Sequence, residues 1–458
     1  MRADRSRLPL VGSDPPFRFP GIVRHRLPNG LDVRTVEHRN VPVITFVLQV
    51  EGGSGADPSD REGLAAIVAD MVDEGTGALG ALEVSDALAR IGAEYDVEVG
   101  PDVTTFSLTT LARFAGRGAR LLADMVTAPS LRDGDFSRVR QLRLDRLRQL
   151  KDLPPAVAER AFLRLLYGRH PYGHLSIGDD AALGEMSLDD VSAFHTARFR
   201  PSDATLVVAG ALSHGELVKA AEDAFGGWSS PAPHSPALAA AEIEPPASSR
   251  ARLAIVPREG AAQSELRIGQ LSARRNTPDH PALLVMNAAL GGQFVSRVNL
   301  KLREEKGFTY GARTGFDWRR GIAPFALQAS VHTASTAEAI RDSLAELDAI
   351  RGARPLSDSE LSLAHTSLTK GYPRNFETAQ QVARSVAQLA LYDLPDSYFE
   401  EFVPTVSAVT GEDVTRVAGR YLDPGRVTAL VVGDRSVIAE SLVGLLPADV
   451  EVLPQPDV

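Results

Sequence analysis

The sequence contains no cysteine among its 458 residues. This absence excludes disulfide bonds, thiolate metal ligands and cysteine nucleophiles together. Long apolar runs are also missing, because no stretch approaches the roughly 18 apolar residues of a membrane-spanning helix. Near the N-terminus, the apolar run from Leu8 to Val11 is too short for a secretory signal. We therefore expect no membrane span and a cytoplasmic location.

A surplus of positive charge is lacking as well. The formal net charge is −10 and the sequence pI is about 5.6. Nucleic-acid binding requires clustered lysine and arginine to neutralise phosphates, so this balance disfavours a general nucleic-acid partner. A hydrophobic content of 44% supports burial of a core, and the length favours two to four domains.

Two parts of the chain repeat one pattern. Each copy has a Ser or Thr followed three residues later by Asp, which is typical of a capped helix N-terminus, and each continues through a Pro into a β-branched strand ending in Gly. The spacing is 223 positions throughout, for the pairs Ser187 and Thr410, Asp190 and Asp413, Pro201 and Pro424, Thr205 and Thr428, and Gly210 and Gly433. A constant spacing indicates an internal duplication.

The duplication predicts two homologous domains. We expect an N-terminal extension at 1–18, a first domain at 19–228, a linker rich in Pro, Ser and Ala at 229–249, and a second domain at 250–458. Within each copy the predicted strands gather in pairs between runs of helices. This order favours an α+β fold, in which a mixed or antiparallel sheet is flanked by helices, over a doubly wound parallel sheet.

The second copy contains an unusual stretch from Leu290 to Tyr310. Phe294, Val298 and Leu302 are spaced at i, i+4 and i+8, and Val295 joins them, which predicts an amphipathic helix entered through Gly291-Gly292 and ended by Gly307. The alternating residues from Tyr310 onward predict a strand. A helix, turn and strand in this order can place Arg303 and Tyr310 side by side.

These residues carry a family resemblance. The pattern of Leu290-Gly-Gly, Ser296-Arg and Leu302-Arg-Glu-Glu-Lys-Gly-Phe-Thr-Tyr-Gly311 resembles the second-domain signature of the pitrilysin-type zinc peptidases and of mitochondrial processing peptidase. In that family, the Arg and the Tyr hold the substrate backbone against a zinc site that a different domain supplies. The resemblance implies the same role for Arg303 and Tyr310, and a pitrilysin-like fold.

The zinc motif that the resemblance implies is absent. The family carries His-x-x-Glu-His on the first long helix, and the flanking residues Glu62-Gly-Leu64 and Gly75-Thr76 align this motif with Ala66, Ala69 and Asp70. A catalytic zinc needs three protein ligands and a water that a carboxylate deprotonates. Two alanines supply neither ligand nor base, so we expect this chain to bind no metal.

The family's third ligand is a Glu on a later helix. The resemblance places it in the charged segment from Leu144 to Leu147, without fixing the register. There, Asp145 is one carboxylate and Arg146 would oppose a cation electrostatically. Neither residue compensates for the missing histidines.

Other candidate constellations have simpler interpretations. His170 and His174 lie in a Pro- and Gly-containing loop that resembles a structural segment of the family, and His195 and His332 lie in apolar contexts that predict packed or hydrogen-bonded histidines. The glycine-rich segment 52–55 lacks the Lys-Ser/Thr of a phosphate loop.

The combined pattern predicts the non-catalytic, substrate-binding subunit of a heterodimeric zinc metallopeptidase. The resemblance implies a homologous zinc-bearing partner and extended peptide substrates, which are gripped by strand addition at a sheet edge. An alternative is a structural scaffold without activity, similar to the core subunits of the respiratory cytochrome bc1 complex. A homodimer also remains open.

Overall fold

The computed structural model describes residues 17–230, 242–246 and 250–454. The predicted N-terminal extension therefore lies outside the described residues, except for Phe17 and Arg18. Most of the predicted linker at 229–249 also lies outside them.

The first half contains a large sheet, a two-stranded ribbon and helices. Its strands are β1 (Ile22–Arg26), β2 (Asp32–Glu37), β3 (Val43–Glu51), β4 (Gly75–Thr76), β5 (Leu79–Gly80), β6 (Glu94–Val99), β7 (Val103–Leu111) and β8 (Ala204–Gly210). Its helices are α1 (Leu64–Met71), α2 (Ala81–Ala89), α3 (Ala115–Thr127), α4 (Asp133–Lys151), α5 (Pro154–Tyr167), α6 (Asp180–Glu185), α7 (Leu188–Arg198) and α8 (His214–Phe225).

The second half repeats this plan. Its strands are β9 (Arg252–Pro257), β10 (Gln263–Leu271), β11 (Ala312–Phe316), β12 (Pro324–His332), β13 (Thr428–Gly433) and β14 (Val450–Val452). Its helices are α9 (His280–Asn287), α10 (Arg297–Asn299), α11 (Thr336–Ala349), α12 (Asp358–Thr369), α13 (Ala379–Leu391), α14 (Tyr398–Ser407), α15 (Gly411–Tyr421) and α16 (Arg435–Leu442).

The two large sheets match in five of their six strands, whereas the sixth differs, because β1 is antiparallel to β2 and β14 is parallel to β9. The first has the order β1-β2-β8-β3-β7-β6, and the second has the order β14-β9-β13-β10-β12-β11. In each sheet a central strand, β3 or β10, runs antiparallel to both of its neighbours, and the next strand outward pairs in parallel. The fold is α+β with two sheet-and-helix domains, as the sequence predicts.

The repeated residues occupy equivalent elements. Ser187 and Thr410 each close a capping box on the helix that follows, α7 or α15. Pro201 and Pro424 each open a single 3-10 turn that leads directly into β8 or β13. The predicted duplication is therefore confirmed at these positions.

The halves exchange one helix each. Helix α13 of the second half packs on β3 and β8 of the first sheet, and α5 of the first half packs on β10 and β13 of the second sheet. Apolar residues of both halves consequently share core clusters. A sheet that is apolar on both faces must be covered on both. In each sheet, the helix from the other half covers one of these faces.

No helix among the described residues is both long and apolar enough to cross a bilayer.

Candidate functional site

The stretch that resembles the family signature is less regular than a continuous helix. A π-helical turn spans Ala288–Gly292, helix α10 begins only at Arg297, and a second π-helical turn spans Leu300–Glu305. The predicted continuous amphipathic helix is therefore wrong at residues 293–296, which are not helical, and is confirmed as helical structure at 297–305. Val298 and Leu302 are buried as predicted, whereas Phe294 is 61% exposed and Val295 is also exposed.

The glycine pair explains this departure. A Cβ on Gly291 would lie 2.5 Å from Thr314 Oγ1, and one on Gly292 would lie 2.7 Å from Asn287 Nδ2. Both glycines therefore permit a close approach that another residue would prevent. The chain then leaves helical geometry at Gln293, which turns Phe294 toward solvent.

Arg297 clamps the restarted helix to the rest of the second half. Its guanidinium, 4% exposed, donates to Glu360 through Nε and Nη2 at 2.6 and 2.8 Å, and also to the carbonyls of Arg354 and Pro355. Hydrogen bonding from Arg297 lowers the pKa of Glu360 to about 2. The Arg of the signature's Ser-Arg pair thus has a structural role in this chain.

Arg303 and Tyr310 line one open groove with a volume of about 580 Å³. The Arg303 guanidinium lies over the Phe294 ring, 4.2 Å from its centroid, in a cation–π arrangement. Tyr310 is 91% exposed. It precedes β11, which begins at Ala312, because Thr309 Oγ1 bonds to the Gly311 backbone in a short turn.

The sequence prediction for this pair is therefore met in part. The two side chains border the same groove, but in the described part of the chain no hydrogen bond joins Arg303 to Tyr310. The predicted strand starts two residues later than Tyr310.

The polar face of the second sheet forms another wall of this groove. Arg267 is buried and bonds to Glu265 and to Glu159 of α5, and Ser330 donates to Glu265. Arg313, on the outermost strand, donates to Gln328 and remains exposed.

The positions aligned with the zinc motif lie on α1. Ala66 is 2% exposed and Ala69 is fully buried, since α1 packs against β6, α4 and α7. These two positions are therefore closed to solvent, whereas Asp70 is partly exposed. That carboxylate accepts a 2.7 Å hydrogen bond from Arg143 Nε of α4.

The side chains of the segment predicted for the third ligand do not face Ala66, Ala69 and Asp70. Asp145 pairs with Gln141 and Arg148 on the exposed side of α4, and Arg146 donates to Gln149. Sequence reasoning missed Arg143. A usable signal existed, because Arg143 falls at i+4 between Val139 and Leu147, which are both buried.

This donor set does not fit zinc. Two alanines and a carboxylate held by an arginine cannot provide three ligands and a base. The described residues also contain no group of three His, Asp or Glu side chains arranged to hold a metal ion.

Negative charge is concentrated beside α1. Burial, with the nearby negative charges of Glu74 and Asp70, raises the pKa of Asp73 to about 6. Tyr95 of β6 faces the same region, and its hydroxyl is buried without a hydrogen-bond partner. Its pKa is raised by burial and then by the charges of Asp73, Asp70 and Asp96.

The histidines named by the sequence are mostly engaged in packing. His170 Nδ1 accepts from the Tyr172 amide, and His174 Nε2 lies 3.1 Å from Asp57 Oδ2 in a buried pair. His195 Nε2 lies 2.9 Å from the Val126 carbonyl oxygen, and burial lowers the pKa of this imidazole. The apolar context predicted for His332 is wrong, because it is exposed at the end of β12.

Comparisons with known proteins agree with this geometry. Residues 33–179 match the family described as "Insulinase (Peptidase family M16)", and residues 185–368 match the "Peptidase M16 inactive domain". The boundary between the matched segments falls just before α7, within the first structural half.

Relatives and solved structures extend over nearly the whole chain. An uncharacterized zinc protease of Mycobacterium leprae is 24% identical over 421 residues, which cover 91% of this chain and 92% of that protein. One from Streptomyces coelicolor is 22% identical, covering 90% and 89%. A peptidase M16 inactive domain from Pseudomonas fluorescens superposes with a TM-score of 0.83 at 23% identity, covering 90% and 98%. A Helicobacter pylori protease superposes with a TM-score of 0.84 at 20% identity, covering 91% and 100%.

Proposed function

The chain belongs to the M16 peptidase family, and from that premise we propose that it is the non-catalytic, substrate-binding subunit of a heterodimeric zinc metallopeptidase. The zinc and its general base then lie on a homologous partner, and Arg303 and Tyr310 of this chain complete the site. One contrast carries the proposal: Arg303 and Tyr310 line an open groove, whereas the motif positions hold Ala66, Ala69 and an Asp70–Arg143 ion pair.

The exposure of the groove supports a partner or substrate that covers it. Phe294 and Tyr310 line the groove and are exposed, and Val295 and Leu300 of the same short segment are exposed as well. Contiguous exposed apolar surface of this kind is typical of interaction sites.

The chemistry of this chain's residues is hydrogen-bond donation. Metal-assisted attack on the peptide carbonyl comes from the partner, and the Tyr310 hydroxyl and Arg303 guanidinium donate to the carbonyl oxygen as charge develops on it. The Phe294 ring holds the Arg303 guanidinium by stacking. Arg303 therefore loses less side-chain freedom when a substrate binds. The outer strand β11 lies beside the groove and offers an open edge for an extended substrate.

Metal analysis of the purified chain tests the claim that this chain is not catalytic by itself. We expect less than stoichiometric zinc and no peptide hydrolysis by the chain alone. One zinc per chain, with hydrolysis that a chelator abolishes, would overturn the proposal.

Reconstitution with a partner tests the claim that this chain contributes to catalysis in a heterodimer. Mixing the chain with a homologous M16 chain from the same organism that retains His-x-x-Glu-His should produce hydrolysis that neither chain shows alone. If the zinc-bearing chain alone is as active as the mixture, this chain has no part in catalysis, and a scaffold role is favoured.

A further inference from the structure

Strand β11 borders two adjoining cavities. The first is the groove of Arg303 and Tyr310, with a volume of about 580 Å³. The second, of about 250 Å³, is lined by residues of β11, β12 and helix α5. Arg313 and Gln328 line both cavities, so the cavities meet at these two side chains. A peptide that extends from the groove along β11 therefore passes Arg313.

The Arg313 guanidinium is held in place by a neutral partner. Arg313 lies opposite Gln328 of β12, and its Nη2 donates to Gln328 Oε1 at 3.0 Å, while its Nε lies 3.4 Å from the same oxygen. In the described part of the chain, no carboxylate pairs with Arg313, and the side chain is exposed. Because a guanidinium carries further N–H groups, it can still donate to a ligand.

The carboxylates around these cavities are already engaged. Among the described residues, three acids line the cavities, and each accepts a hydrogen bond from an arginine: Glu265 and Glu159 from Arg267, and Asp317 from Arg319. Their negative charges are therefore compensated. Arg313 remains as a cation without a carboxylate partner, and Arg303 adds a second positive charge to the same groove.

The equivalent position of the first sheet is compensated differently. Asp96 of β6 and Arg313 of β11 occupy the same row of paired residues in their sheets. Asp96 pairs at 2.9 Å with Arg384 of the exchanged helix α13. The exchanged helix α5 supplies Glu159, but this carboxylate bonds to Arg267 on the central strand. The second half thus leaves the charge on its outer strand available to a ligand.

We propose that Arg313 selects substrates by binding the carboxylate of an acidic side chain on an extended peptide. The inference rests on the proposed function, since it places the substrate along β11 with one carbonyl at Tyr310. Hydrogen bonds between arginine and a carboxylate are charge-assisted and often bidentate, which favours Glu or Asp over Gln or Asn. From Tyr310 to Arg313 the chain spans at most about 10 Å, so the acidic residue lies within about three positions of the cleaved bond.

Peptide binding to the isolated chain tests the inference without a partner subunit. The probes alternate threonine and alanine around one central Glu, Gln or Lys, with a neutral dye and blocked termini, so that the central side chain supplies the only charge. Fluorescence anisotropy should show the Glu probe bound about ten-fold more tightly than the Gln probe, and the Lys probe bound most weakly. Equal affinities for the Glu and Gln probes would overturn the inference.

A further probe separates two sources of carboxylate. It carries the central Gln and a free C-terminus, so its only carboxylate is that of the chain end. This probe should bind more weakly than the blocked Glu probe. If it binds as tightly, the groove recognises a chain terminus, and the assignment to an acidic side chain is overturned.

Charge-changing variants test whether Arg313 is responsible. Arg313→Glu should abolish the preference for the Glu probe and favour the Lys probe. Gln328→Glu keeps Arg313 but gives it a carboxylate partner, so it should also remove the preference. The control Arg341→Glu makes the same charge reversal on α11, outside both cavities, and should retain the preference. A loss in Arg341→Glu equal to that in Arg313→Glu would show general charge attraction and overturn the inference.

Hydrolysis by the reconstituted complex separates this inference from the proposed function. A single Glu is moved along a neutral peptide, and mass spectrometry identifies the cleaved bond. We expect the highest kcat/KM with Glu within about three positions of that bond. Hydrolysis with no preference for Glu over Gln at any position would overturn the role of Arg313 and leave the proposed function intact. Absence of hydrolysis, with the Arg313-dependent binding of the Glu probe retained, would overturn the catalytic role alone.

Discussion

The two halves of the molecule share a topology but differ in chemistry. At the positions of α1 that the sequence aligns with the family's zinc motif, the first half has Ala66, Ala69 and the Asp70–Arg143 pair. The second half exposes Arg303 and Tyr310 in a groove. Even the equivalent outer strands differ, with acids on β6 and Arg313 on β11.

This difference separates what holds the fold from what performs chemistry. The two halves share the same fold features, such as the capping boxes at Ser187 and Thr410 and the turns at Pro201 and Pro424. None of these four residues lines the groove of Arg303 and Tyr310. Site residues could therefore diverge in each half without disturbing the sheets.

The largest expected effect concerns the pair in the second half. In the complex with a zinc-bearing partner, Tyr310→Phe should lower kcat by about 10- to 1,000-fold, which is the scale for losing an oxyanion donor. Arg303→Ala should act similarly and also raise KM by weakening ground-state binding. Steady-state kinetics on complexes checked by sedimentation measure both effects.

Matched controls come from the same half. Tyr421→Phe and Arg420→Ala remove the same chemical groups outside the groove, where both side chains bond to Asp279. They should leave kcat unchanged. Wild-type rates in Tyr310→Phe and Arg303→Ala would leave the scaffold role as the better account.

A second prediction compares the arginine clamps of the two halves. Arg297→Met should lower the free energy of unfolding by about 2–4 kcal/mol, because it leaves Glu360 and two backbone carbonyls without their donor. Urea denaturation measures the change. A loss below that of an ordinary surface substitution would show that Arg297 does not hold the signature segment in place.

The sequence predicts an element well where the hydrophobic periodicity and the residues that end helices and strands indicate the same bounds. The charged residues from Asp133 to Lys151, which precede Pro154-Pro155, predict one long helix, and α4 has these bounds. The α+β class follows from the paired strands. Helices α5 and α13 are among those that the sequence does not predict. Pro154-Pro155 indicates the end of α4, although Pro is also favoured in the first turn of the next helix, α5. Helix α13 has the apolar spacing of a buried helix, but only the tertiary exchange shows that it covers the other half's sheet.

The candidate sites were less predictable. The strict alternation from Glu94 to Val99 is a sufficient signal for the strand β6, which the predictions above do not include. The exposure of Phe294 could not be foreseen, because it depends on how closely Gly291 approaches Thr314, a contact between residues distant in the sequence. For Arg143, the spacing from Val139 and Leu147 indicates an inward-facing position, but its partner Asp70 lies on another helix and could not be identified from the sequence.

A third, smaller effect concerns the first half's own clamp. Arg143→Ala should cost about 0.2–1 kcal/mol, since Asp70 is partly exposed and regains water when its partner is removed. Comparison with Arg297→Met under the same denaturation conditions sharpens the contrast between the halves. A cost as large as that of Arg297→Met would show that the ion pair on α1 is as essential to the fold as the clamp in the second half.

The smallest expected effect depends on pH and on Asp73. Its pKa is raised from the ordinary value of 3.8 to about 6 by burial and by the charges of Glu74 and Asp70. The folded state therefore binds more protons than the unfolded state between these two values, and the free energy of unfolding decreases as pH rises from about 4 to about 6. Asp73→Asn removes this titration, so it should raise Tm at pH 7.5 while changing little at pH 4. Thermal unfolding of both proteins across this range measures the difference, and an equal change in Tm at both pH values would contradict the assignment. A confirmed dependence would show that the partly buried charge of Asp73 lowers the stability of the folded state above about pH 6.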